Sequence, residues 1–149
     1  MEVTVVNRQR KVRLAMAWLR AFAARALPYC REESDDERFA LKSLPEVEVA
    51  IVSDRVIADV HQRFMSIPGA TDVITFEHGE IVMSAETAAS YAADHGHSVE
   101  QELALYTVHG MLHLNGFEDA TSEEAARMHR VQDRIWKECL GQLPPPPHA

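Results

Sequence analysis

The chain has 149 residues, a formal net charge of −8, 46% hydrophobic and 26% charged residues. That length suits one domain able to bury about two-thirds of its unfolded surface. The acidic balance excludes a bulk basic surface, so any RNA contact needs a local basic strip. No apolar run approaches the roughly 20 residues of a membrane span, and the first residues carry no signal-peptide pattern. Cys30 and Cys139 fit neither a zinc spacing nor a disulfide framework, which points to a reducing cytoplasm, while the lack of a long apolar run points to a chain without membrane partners.

In chain order, Val3 to Val6 is β-rich, and Asn7 is placed to cap a helix over Arg8 to Leu27 that Pro28 ends. Arg8, Arg10, Lys11 and Arg13 crowd its first turns and read as a solvated face sooner than an RNA contact. Arg31 to Pro45 is acidic and polar and reads as a loop, with one hydrophobic patch at Phe39 to Leu41. Val47, Val49 and Ile51 alternate on one side of a strand over Glu46 to Val52. Ser53 or Asp54 then caps a helix whose Val56, Ile57, Val60 and Phe64 form an apolar stripe, broken at Pro68-Gly69.

Asp72 to Phe76 is a further strand. His78-Gly79 predicts a two-residue hairpin turn into a strand over Ile81 to Met83. Ser84 caps an Ala-rich helix over Ala85 to Asp94. Ser98 with Gln101, and Thr121 with Glu124, are capping boxes that open two more helices. The last helix turns Met128, Val131, Ile135, Trp136 and Cys139 inward. Residues 1–143 therefore read as one domain, and 144–149 as a proline-rich, extended and disordered tail. The fold class is α+β, with a mixed sheet of about four strands, helices packed on it, and a central helix carrying the histidines described next.

That helix holds the chemistry. His109 and His113 are four residues apart, so both imidazoles project from one helical face, half of a metal site. Gly116 follows where a helix takes a left-handed stop, and the reversed chain can bring Glu118 or Asp119 over the histidines. Two helical ligands and a third from the turn leave one position open, the arrangement of a catalytic metal. Gly110 stands where the helical metalloprotease pattern puts its general-base Glu, which argues against a peptidase.

Thr71-Asp72-Val73-Ile74-Thr75-Phe76, Gly79-Glu80-Ile81-Val82-Met83-Ser84 and the run His109 to Phe117 together resemble the YbeY endoribonucleases, from about Glu46 to the end of the last helix. The resemblance implies a mixed α/β fold with one zinc per chain. It also implies a bacterial cytoplasmic protein that cleaves single-stranded RNA and serves small-subunit (16S) rRNA maturation and ribosome biogenesis, with rRNA and the small ribosomal subunit as partners. Carried over by position, the ligands are His109, His113 and Asp119, and the same three are the catalytic set. Asp119 replaces the family's third histidine. Carboxylate oxygen is a sound zinc ligand, but its charge leaves bound water less acidified and tolerates harder metals better. Glu118 is the rival ligand, and His129 a more distant one.

Met65 replaces an arginine that follows the aromatic ending the second helix, and methionine cannot grip phosphate. Arg63 should point elsewhere. His61 stands where the family commonly has Asn, His78 belongs to its turn, and His95 and His97 flank Gly96 at a helix end. Asp72 should bond backbone where its strand starts, and His148 lies in the tail. The competing functions are another metal hydrolase, and a non-catalytic ribosome-assembly factor that keeps the fold.

Overall fold

The computed structural model describes residues 2–33 and 41–147. Four strands form one mixed sheet: β1 (Glu2–Asn7), β2 (Glu46–Val52), β3 (Val73–Phe76) and β4 (Glu80–Ser84), in spatial order β1-β2-β4-β3. β1 and β4 run parallel to β2, with Val5 opposite Val49 and Val49 opposite Ile81, while β3 returns antiparallel to β4. Among the described residues the helices are α1 (Met16–Glu32), α2 (Asp54–Met65), α3 (Ala85–His95), α4 (Val99–Leu114) and α5 (Ser122–Gly141). None is long and apolar enough to cross a membrane.

β2 is covered on both faces, as a central parallel strand should be. Val47, Val49 and Ile51 enter the main core with α1 and α4, as their alternation predicts. Ala50 and Val52 face a smaller cluster with Ile57 of α2, Ile74 and Val82. Ile57 is the buried residue of α2; its terminal Phe64 is 66% exposed and meets Phe76 edge-on at 5.4 Å. Of the apolar stripe expected of α2, Ile57 is buried, while Val56 at its start and Phe64 at its end are 43% and 66% exposed.

α4 packs against α1, α3, α5, β3 and β4. Its close approach to the sheet depends on Gly110: a Cβ there would lie 2.7 Å from Ile81 Cδ1 and 2.9 Å from its Cγ2. No glutamate fits at that position, so the metalloprotease arrangement is sterically excluded as well as absent.

Several boundaries differ from those the sequence predicts. The first helix begins at Met16 rather than Arg8 and runs through Pro28 to Glu32. Asn7 caps no helix; its Oδ1 accepts from the backbone N–H and Nε2 of Gln9, whose own Oε1 accepts from Val12 N. Those side-chain bonds give the backbone a turn in place of a helix. Pro28 costs the bond to Ala24 and some strain, which burial of Leu27 and Cys30 in the main core offsets. Arg31 and Glu32 belong to α1 and not to the loop, and Leu41 opens a short 3-10 turn, Leu41–Ser43, with its side chain buried. Phe39 and Ala40 of the expected patch lie outside the described residues, as does His148.

The hairpin joins Phe76 to Glu80 through three residues, Glu77, His78 and Gly79, not two. Gly79, at φ 111°, lets its carbonyl accept from Glu48 N at 2.8 Å, which docks the loop on β2. Pro144, expected to start a disordered tail, is held by a hydrogen bond from Trp18 Nε1 to its carbonyl at 2.8 Å. The buried indole of Trp18, itself part of α1, needs an acceptor for its N–H, and the chain passing over it supplies one.

Candidate metal centre

α4 ends in a Schellman motif. Asn115 is the C-cap, Gly116 takes φ 95°, Gly116 N–H bonds His113 O at 3.1 Å and Phe117 N–H bonds Leu112 O at 3.0 Å. Asn115 is fully buried and ties this corner to its neighbours. Its Oδ1 accepts from Leu41 N at 2.6 Å and its Nδ2 donates to Cys30 O at 2.8 Å. The reversal turns the Phe117 carbonyl back onto the helix, where it accepts from His113 Nδ1 at 2.8 Å. His109 Nδ1 donates to Gln132 Oε1 of α5 at 2.7 Å.

Those two bonds decide the tautomers. With both Nδ1 atoms donating, each Nε2 is left as a bare lone pair, and the two Nε2 atoms face each other at 3.0 Å. Two lone pairs at that separation repel unless a proton or a cation lies between them. Asp119 Oδ2 completes the group, 3.6 Å from His113 Nε2 and 4.0 Å from His109 Nε2. Metal–ligand bonds of about 2.0–2.1 Å in a tetrahedron put ligand atoms roughly 3.3 Å apart, so these distances bracket what one ion requires. Donor set, tautomers and spacing all fit a divalent metal. Burial first, and then the neighbouring His113, holds His109 below the ordinary imidazole pKa of 6.5.

The group lies in a cleft of about 710 Å³ lined by α4, the turn after it, β3 and the end of α2. Asp72, Glu77, Glu118 and Asp119 put four carboxylates on its wall, and no described lining residue is arginine or lysine. Met65 lines the cleft and is 46% exposed, so it faces the site rather than merely packing at a helix end. His61 also lines it, its Nδ1 donating to Gly69 O at 3.0 Å. Arg63 points away and pairs with Asp59 at 3.7 Å.

Glu118 lines the cleft but is exposed and outside the metal-capable group, and His129 is exposed on α5 and outside the lining. Asp72 accepts from Val73 N at 2.8 Å as β3 starts, as its position predicts, and also faces the cleft. His78 stays with its turn, stacked on Phe76. Arg8 pairs with Glu48 at 3.1 Å on the surface. Gln132 escaped the sequence reading; its signal was one polar residue in the inward stripe of Met128, Ile135 and Cys139.

The endoribonuclease YbeY family profile matches residues 4–140. Proteins called Endoribonuclease YbeY are 35% identical over 116 residues in Mycolicibacterium gilvum and 37% identical over 114 residues in Mycobacterium tuberculosis. These alignments span 65% and 64% of this chain, and 65% and 64% of the relatives' own lengths. A Thermotoga maritima protein solved in solution superposes with a TM-score of 0.66 and 23% identity over 95% of this chain and 91% of that one, a likeness of fold.

Proposed function

We propose that this chain, which belongs to the YbeY family, is a metal-dependent endoribonuclease of the cytoplasm that cuts single-stranded RNA during small-subunit rRNA maturation. His109, His113 and Asp119 hold its catalytic ion, one zinc at this centre, and are its catalytic set. One observation carries the metal: two imidazole Nε2 lone pairs facing each other at 3.0 Å beside a carboxylate, on the wall of an open cleft.

A divalent cation bound there supplies Lewis-acid chemistry, polarising a phosphate oxygen or activating water at neutral pH. The chain's own residues set the conditions. Phe117 O and Gln132 Oε1 fix both ring orientations and keep the Nε2 atoms unprotonated. Asp119 lowers the net positive charge of the centre, and the cleft wall offers phosphate no arginine or lysine among its described residues. An anionic RNA strand therefore enters an acidic cleft, which favours slow cleavage with strong salt and metal dependence.

The test pairs elemental analysis of the purified protein with cleavage assays on single-stranded and duplex RNA. Metal-dependent cleavage of the single strand, lost in His113→Ala together with the ion at this cluster, is the expected result. Ribosome association that persists in His113→Ala, with no RNA cleavage by the natural protein at any metal loading, would instead identify an assembly factor.

A further inference from the structure

A second cluster of ligating atoms sits two turns earlier on the same helix. His95 ends α3, Gly96 takes φ 72° as its cap, His97 follows, and Glu102 is the fourth residue of α4. His97 Nε2 lies 2.6 Å and His95 Nδ1 3.3 Å from one oxygen, Glu102 Oε1, and the ligand atoms of all three residues fall within 4.8 Å of one another. The Glu102 side chain is 3% exposed, and among the described residues its ion-pair partners are these two imidazoles. A buried carboxylate needs a compensating charge or a full set of donors.

The surroundings hold the rings in place. Tyr91 stacks on His95 at 6.1 Å, and Trp136 of α5 meets His97 edge-on at 5.5 Å. Trp136 is itself fixed by a bond from its Nε1 to Gln101 O at 2.9 Å. Tyr106 lies one turn beyond Glu102 on the same face and is 5% exposed, with its hydroxyl buried. Glu102 and the buried Tyr106 are near neighbours: burial first, and then the charge of the carboxylate and a hydrogen bond to it, raise the phenol's pKa. His95, with 53% of its side chain exposed, leaves one side open for an ion to enter.

We propose that His95, His97 and Glu102 form a second divalent-metal site, for a first-row transition ion such as zinc, that clips the α3–α4 corner. Two imidazoles and a carboxylate are an accepted donor set for such ions. The His95–Glu102 spacing already matches the roughly 3.3 Å of two ligands on one tetrahedral ion. Binding an ion requires the 2.6 Å His97–Glu102 contact to open to about the same spacing. Glu102 and His109 are seven residues apart, about 10 Å along the helix, so this ion and the one at the cleft would be held on one rigid element without sharing a ligand.

The site is tested on the full chain stripped with chelator, reloaded with Zn²⁺ or Co²⁺ and dialysed, with metal content and the visible Co²⁺ spectrum as readouts. The expected result is about two ions per chain, falling to about one in His95→Ala, in Glu102→Gln and in His113→Ala alike, and to none in His95→Ala/His113→Ala. His95 is exposed, so its variant keeps the fold, and circular dichroism checks this. Reloaded wild type that holds one ion, with none left in His113→Ala, overturns the proposal and leaves an ordinary imidazole–carboxylate ion pair. An ion lost in His95→Ala but unaffected by His113→Ala would uphold this site while sinking the reading of the cleft.

Discussion

At the scale of single residues, Asp119 and Met65 are the two cleft positions on which the proposed chemistry turns, and each has a separable consequence. Asp119 Oδ2 sits within 4.0 Å of both Nε2 atoms, whereas Glu118 is exposed and outside the group. Asp119→Ala is therefore expected to weaken metal binding at the cleft by orders of magnitude, and Glu118→Ala to leave it within a few-fold. Titration calorimetry with Zn²⁺ measures both, and the reverse ranking would mean the turn after Gly116 swings further on binding. Met65 faces the same cleft. Met65→Arg places a guanidinium fork where phosphate would lie. One preorganised electrostatic donor is worth about 10²–10³ in rate, so cleavage should rise by up to that factor with metal content unchanged. A Met65→Arg protein no faster than its parent would show that phosphate takes another path through the cleft.

At the scale of elements, α4 is organised by contacts its own periodicity does not reveal. Gly110 permits the helix to rest on Ile81, which is fully buried in β4 and has nowhere to move. Alanine gains up to about 1 kcal/mol in helix preference over glycine, but overpacking a core costs about 1–3 kcal/mol. Gly110→Ala is expected to be net destabilising by about 1–2 kcal/mol in urea unfolding, and adding Ile81→Val should recover part of the loss by removing the nearest atom. A more stable Gly110→Ala protein would mean that α4 lifts from the sheet without penalty. The Schellman corner acts in the same way, because Asn115 joins α1, the Leu41 turn and α4 before the ligands are presented.

For the whole molecule, the paired histidines make the metal-free state sensitive to acid. His109 is held below 6.5 chiefly by burial, so the unfolded chain binds its proton more readily than the folded one. Stability rises with pH wherever the unfolded state binds more protons. The contribution of His109 is thus fully present above about pH 6.5 and is lost as pH falls through its lowered folded value. Chelator-treated protein should show a falling Tm over that window, and His109→Gln should flatten the slope. Bound metal should shift the fall to lower pH, since ligands must be deprotonated to hold the ion. An unchanged slope in His109→Gln would assign the acid sensitivity to other groups.

Local chemistry explains which features were legible in the chain. The two capping boxes, the Gly116 stop, the alternation of β2 and the four-residue spacing of the histidines are short-range patterns, and each element forms where its pattern lies. The mixed four-stranded sheet followed from strand–helix–strand order and one hairpin. Long-range contacts decided the rest. α1 starts late because Gln9 closes a turn on Asn7 and Val12, and it passes Pro28 because Leu27 and Cys30 are buried beyond the first turns. Partners 23 residues apart, His109 and Gln132, fix a tautomer that no spacing rule reports. The sequence alone determined that two imidazoles share a helical face. Only the tertiary structure decided that their lone pairs converge beside Asp119 in an acidic cleft, because orientation is set by hydrogen bonds that the rings donate to α5 and to the reversed chain.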